Sequence, residues 1–294
     1  MVRRVAEILL VITSWVSSLG VVAVVVALVA FLVYRSASVL DLQLFFGDVA
    51  WPDAVFGGAR VLHGIWPAIA GTLILIAASS AVAIPLGIAA GVFISEYASG
   101  RFRATITFLV DVLAGTPSII MGLFGFSMIL LLRQTIAPDA GTGLLVAAVC
   151  LALLVLPYMI RATQNALEGL PAEMRLLGAS MGMSHSQSVL RILIPAASRG
   201  ILSGAVLSLG RAAEDTAVIM LTGAVATAGG RGPQSLTDKF EALPFKIFVI
   251  AAEHNTAEEL SVGFASALVL LVLTASLFSL TFILQRSLER LWKA

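Results

Sequence analysis

Charge is what this sequence has least of. Only 12% of its 294 residues are Asp, Glu, Lys or Arg, roughly half of the ~25% usual in a soluble domain. Hydrophobic residues make up 59%, and the mean hydropathy is +1.02. A large soluble core does not explain that deficit, because a soluble surface needs polar cover; several apolar runs of about 20 residues do. Lysine occurs only as Lys239, Lys246 and Lys293. None follows a glycine, and no G-x-x-x-x-G-K-[ST] stretch exists to cradle a nucleotide's phosphates. The single cysteine, Cys150, lies inside an apolar run. It offers neither a disulfide framework nor metal-ligand spacing, and reads as a small packed residue. His63, His185 and His254 are scattered, with no H-E-x-x-H and no nucleophile motif, so neither a resident metal nor enzyme chemistry is expected. The net charge of +1 says nothing about nucleic acid, but no basic patch appears, and no nucleic-acid partner is expected.

What remains is an integral membrane protein, all α-helical, with six spans. They run from Ile8 to Val33, Pro67 to Ser95, about Thr105 to Leu132, about Thr142 to Ile160, Val189 to about Val225, and Val262 to Leu284. The first is too long for a signal-peptide core. Tyr34 to Ile65 reads as a loop with a short interfacial helix, Trp51 and Trp66 suiting the headgroup layer. Glu96 to Arg103 reads as a short polar loop. Gly115 and Pro117 should kink the third span, while Gly115, Gly122 and Gly125 allow close helix approach. The fifth stretch should be broken by Pro195, Arg199 and its charges. With an even span number both termini share a side. That side carries eleven of the 18 basic residues, among them Arg3, Arg4, Arg290 and Lys293, against six on the other, with Arg211 between spans' ends. The bias puts the termini in the cytoplasm of a bacterial or archaeal cell.

The segment Arg161 to Thr216 organises the chain. Pro171 suits the first turn of a helix, and Gly182 suits its end. Ser184 with Gln187 three residues on has capping-box spacing for a second helix, which enters the membrane at Val189. The first helix carries Met174, Leu177 and Met181 on one face. Two readings fit that apolar face: docking into a partner's groove, or lying on the chain's own spans or the bilayer. Further on, Arg211, Glu214 and Asp215 sit at i, i+3 and i+4, so a continuing helix would put them on one face. A charge at bilayer depth costs about 3 to more than 10 kcal/mol when unpaired. A gate or ion path fits the triplet, and so does a structural ion pair.

Four stretches carry a family resemblance: Pro85 to Ala90 with Ser95-Glu96-Tyr97-Ala98; Leu113-Ala114-Gly115-Thr116-Pro117-Ser118 with Gly122 to Gly125; Arg175 to Pro195; and Leu209 to Thr216. Together they resemble the permease subunits of binding-protein-dependent ABC importers. The later Ala242 to Ile247 resembles the phosphate-import permeases of the PstA type more than their PstC-type partners. The fold so implied is a six-helix, MetI-like importer transmembrane domain with a cytoplasmic coupling helix. Residues 1–65 would hold the first helix and external loop. Residues 66–294 would form the permease core, with its coupling loop at about 166–188. Two departures stand out. Leu176, Leu177 and Gly178 occupy the family's usual E-A-A positions, and Glu214 and Asp215 replace the Gly-Glu of R-x-x-G-E-T, with Arg211 and Thr216 kept.

The resemblance implies that the chain is not catalytic itself. ATP would be bound by two partner ATPases (PstB type), beside a second permease (PstC type), a periplasmic binding protein (PstS type) and lipid. Met174, Arg175, Leu177, Gly178, Met181 and Gly182 would couple to the ATPase. Arg211, Glu214, Asp215, Thr216 and Arg161 would line the path or gate, guanidinium geometry matching phosphate. Permeation of another oxyanion (molybdate, sulfate or a phosphonate) is the nearest alternative. An ion-coupled carrier using the charged triplet is the other, though no internal repeat supports it.

Overall fold

The computed structural model describes residues 2–293 of the backbone. Its side chains are described at 7, 9–280, 282, 283 and 286, so Arg3, Arg4, Arg290 and Lys293 lie, as side chains, outside the described residues.

The chain is helical almost throughout. In order, the helices are α1 (Val2–Ser36), α2 (Leu42–Phe46), α3 (Trp51–Val55), α4 (Trp66–Val92), α5 (Gly100–Ala114), α6 (Ser118–Thr135), α7 (Leu144–Glu168), α8 (Ala172–Ser180), α9 (His185–Ser188), α10 (Ile194–Glu214), α11 (Ala217–Thr222), α12 (Leu243–Glu253) and α13 (Ala257–Lys293). Wide π-type turns, Phe93–Tyr97 and Val189–Leu193, close α4 and open α10. Among the described residues six helical stretches are long and apolar enough to cross a membrane: Leu9–Ser36, Trp66–Tyr97, Ser118–Thr135, Leu144–Glu168, His185–Glu214 and Ala257–Leu280.

α7 is the hub, lying against α4, α5, α6, α10 and α11. Its Ala147, Leu151, Leu154 and Met159 are fully enclosed, and Cys150 is buried beside them. A Cβ at Gly125 would overlap Cys150 Sγ, and one at Gly122 would sit 2.9 Å from the Ala217 carbonyl oxygen. Those two glycines let α6 close on α7 and α11, as small residues do between membrane helices. Gly115 has no such role, since only carbonyls of its own helix lie near it.

Four expectations are corrected. The third span is not one kinked helix but two, α5 and α6, separated by Gly115-Thr116-Pro117. Pro117 has ψ 138 and stands outside the helix that follows it. It donates no hydrogen bond and pushes Thr116 out of helical conformation, which is enough to separate the helices. The polar loop assigned to Glu96–Arg103 shrinks to Ala98 and Ser99, because the helical turns on either side take in the rest. The fourth span continues past Ile160 to Glu168, so Arg161 lies inside a helix and not at its end. The fifth stretch is broken among its charges as expected, but only there: Pro195 and Arg199 lie within α10, and Asp215, with ψ 119, ends that helix before the six-residue α11.

At the end of the bundle away from α8, Leu44, Ile65, Ala68, Ile69, Leu243 and Ala265 form a separate core. There Thr72 Oγ1 accepts a 2.9 Å hydrogen bond from Leu243 N. Glu241, 3% exposed, faces Lys246 Nζ at 3.6 Å and accepts from Ala228 N at 2.9 Å. Lys246 also donates to the Gly64 carbonyl at 3.0 Å. This pair, with Glu241 buried and Lys246 half-buried, ties the segment after α11 to the start of α4.

Candidate functional site

The α8 loop is built from local rules. Pro171 precedes the first turn with ψ 143, and α8 ends at Met181. Gly182 follows at φ +70, a conformation that glycine takes without penalty. The Ser184 side chain accepts from Gln187 N, and the Gln187 side chain accepts from Ser184 N at 2.9 Å, a complete capping box.

The faces of α8 differ from expectation. Leu176 is 67% exposed, Leu177 49% and Met181 66%. Met174 instead is partly buried, one of the apolar side chains packed against the core cluster that includes Leu167 and Val189. Gly178 is buried against Ser188, whose hydroxyl a Cβ would overlap. Arg175 is also occupied within the chain. It meets Glu96 Oε1 at 3.1 Å and donates to the Leu167 carbonyl at 2.9 Å and the Leu170 carbonyl at 3.4 Å. Of the residues expected on the docking side, Leu177 and Met181 face out with Gly182, joined by Leu176. Met174, Arg175 and Gly178 hold α8 down. Glu96 stood in the sequence only as part of the Ser95–Ala98 motif and at the start of a polar loop, with no role of its own. Its signal is a carboxylate at the very end of a long apolar run, in a helix turn that its partner reaches from 79 residues away.

The charged triplet does not share a helix face. Asp215 leaves the helix, and its Oδ1 accepts from Val218 N at 2.9 Å, capping α11. Thr216 is half-buried at the start of that helix, and Glu214 is exposed. No ion pair joins Arg211 to either acid among the described residues. The Arg211 guanidinium instead lies 4.8 Å from the centre of the Tyr158 ring, a cation–π contact. The Tyr158 hydroxyl donates to the Ala114 carbonyl at 3.3 Å, at the break between α5 and α6.

One turn along α7 from Tyr158, Arg161 pairs with Asp111 of α5, its Nε donating to Oδ1 at 2.8 Å, and it meets Gln164 Oε1 at 3.2 Å. Gln164 donates to Glu168 Oε1 at 2.7 Å, and Glu168 pairs with Arg103. A polar ladder therefore joins α5 to α7. Tyr158 stands 14 residues from the start of α7 and 10 from its end, or about 21 and 15 Å at helical rise. Arg211 thus lies near mid-depth, exposed on the bundle's side with Glu214 and Asp111. Charged groups at such depth face a bundle interior or an aqueous path rather than lipid.

The family described as binding-protein-dependent transport system inner membrane component matches residues 83–293, which include every residue of this site. The phosphate transport system permease protein PstA 1 of Mycobacterium tuberculosis (strain CDC 1551 / Oshkosh) is 35% identical over 158 residues, covering 54% of this chain and 50% of that protein. The chain thus matches about half the length of that relative. PstA of Haemophilus influenzae is 31% identical over 221 residues, covering 74% of this chain and 75% of that protein. Among solved structures, a bacterial ABC transporter involved in import of the acidic polysaccharide alginate aligns with TM-score 0.61 and 14% identity, covering 93% of this chain and 96% of that one. An inward-facing MetNI methionine ABC transporter aligns with TM-score 0.59 and 20% identity, covering 76% and 97%. Likeness at those identities establishes the shared importer-permease fold.

Proposed function

Because this chain belongs to the family of binding-protein-dependent transport system inner membrane components, we propose that it is the permease subunit of an ATP-driven importer of inorganic phosphate. It forms half of the translocation path in the cytoplasmic membrane, with both termini in the cytoplasm. A second permease supplies the other half. Two ATPase subunits meet the exposed Leu177 and Met181 on α8, and a binding protein delivers the anion on the opposite side. Residues 66–294 are the working core, and 1–65 add a peripheral helix and loop.

The observation that carries the reading is Arg211, a guanidinium exposed at mid-depth and held by a tyrosine face instead of a carboxylate. No carboxylate takes the Arg211 guanidinium among the described residues, so its N–H donors are available to an oxyanion. Asp215, spent on capping α11, no longer competes for that guanidinium. Arg161, engaged by Asp111, serves the path as a structural pair between α5 and α7.

The test is uptake of labelled phosphate into vesicles holding this chain with its partners and internal ATP. Arg211→Ala is expected to lower uptake at least tenfold with the complex still assembled. Uptake retained by the variant would make Arg211 structural. Uptake of molybdate, sulfate or a phosphonate but not phosphate would change the substrate and keep the class.

A further inference from the structure

The α8 loop is fastened to one helix end in particular. α4 closes in a wide turn, Phe93–Tyr97, and that turn presents three groups to the loop. The Glu96 carboxylate, 4% exposed, receives Arg175 on both oxygens, Nη2 to Oε1 at 3.1 Å and Nε to Oε2 at 3.5 Å. Ser95 Oγ donates to the same carboxylate at 2.8 Å. The Glu96 carbonyl lies 3.1 Å from His185 Nε2 of α9. Tyr97 donates to Ser186 Oγ at 3.2 Å, and its ring meets the His185 ring edge to face at 5.0 Å. Both helices of the loop, α8 through Arg175 and α9 through His185 and Ser186, are therefore held by two consecutive residues, Glu96 and Tyr97, of the turn that closes α4.

α4 then runs 27 residues, about 40 Å at helical rise, to the opposite end of the bundle. There Thr72 binds Leu243, and a Cβ at Gly71 would overlap the Glu241 carbonyl. The segment so held leads back to α11 and to the Asp215 break that follows Arg211. A bidentate arginine–carboxylate pair is directional as well as strong, so a displaced α8 takes the end of α4 with it.

We propose that Glu96 and Arg175 are positioning residues for transport, the joint through which movement of α8 reaches α4 and, along it, the far end of the bundle. This rests on the reading of α8 as the ATPase contact. The joint is distinct from the exposed contact itself, since neither Glu96 nor Arg175 is on the outward face made by Leu176, Leu177 and Met181.

The assembled complex, with both permeases, the ATPases and the binding protein, is reconstituted in proteoliposomes. Two quantities are read: labelled phosphate moved per ATP hydrolysed, and stimulation of ATP hydrolysis by the binding protein. The second is independent of substrate identity. Glu96→Gln, Arg175→Met and the double variant are compared. The double variant matters most, because removing both partners leaves no unpaired buried charge. It is expected to assemble and to keep basal hydrolysis within about twofold, while both coupling readouts fall at least tenfold. A merely structural pair would lower the amount of complex and leave both ratios unchanged. Unchanged ratios in the double variant, or failure of all three variants to assemble, would overturn the joint. Leu177→Asp is the separate control. If that chain still co-purifies with the ATPase, the α8 contact is wrong, whatever the joint does.

Discussion

Asp215 and Glu214 are neighbours in sequence with separate work, and the difference is one backbone torsion. At ψ 119 the chain leaves α10, and the Asp215 carboxylate accepts from one free N–H of α11, that of Val218. Losing such a cap costs about 1 kcal/mol. Asp215→Ala is therefore expected to lower the thermal stability of the purified chain, whereas Glu214→Gln leaves stability unchanged and shifts the concentration dependence of phosphate uptake. A melt in which Glu214→Gln is the destabilised variant would contradict this division. The i, i+4 spacing of Arg211 and Asp215 was legible as sequence, but it assumed that the helix continued. No residue type there announces the break, since neither proline nor glycine lies between them. Ser184 and Gln187 were legible for the opposite reason: a capping box depends on four successive residues and on nothing distant. Glu96, whose partner is 79 positions away, depends on a tertiary contact that no local pattern records.

At the scale of elements, the separation of α5 from α6 does more than bend a span. The Ala114 carbonyl has lost its helical partner at residue 118 and accepts the Tyr158 hydroxyl instead. That bond holds the ring beneath Arg211. Pro117→Ala restores the missing N–H and permits one continuous helix, which would reclaim the Ala114 carbonyl and release Tyr158. Uptake is expected to fall at least fivefold with the complex still assembled; wild-type uptake would show that the break does not support the Arg211 contact. The sequence located this feature through Gly115 and Pro117 but read a kink, because the cost of a proline alone does not say whether its helix bends or ends. For α8 the uncertainty was rotational. Apolar residues occupy 174, 176, 177 and 181, so more than one face was available to a partner. The choice was made by Glu96, which fixes Arg175 inward, and by Gly178, which allows α8 to press on Ser188.

For the whole molecule the six spans follow from composition, and the proposed orientation rests on the bias of basic residues counted on the sequence-predicted spans, eleven against six. The two ends of the bundle make that bias testable. One end carries the exposed Met181, and the other carries the turn between α12 and α13, where Asn255 is exposed. The single native cysteine, Cys150, is buried in the α7 core, so it adds little background to thiol labelling. With a membrane-impermeant maleimide, Asn255→Cys is expected to label in right-side-out vesicles, and Met181→Cys only in inverted ones. The reverse pattern would turn the molecule over and place α8 out of reach of any cytoplasmic ATPase. Within inverted vesicles, adding the ATPase subunit should protect Cys at 181 but not a cysteine placed at Arg103, which lies on the α5–α7 ladder and outside the α8 face. Protection of both would indicate a footprint spread across the whole end of the bundle; protection of 181 alone would confine the contact to α8, the arrangement in which a joint at Glu96 has a defined lever to move.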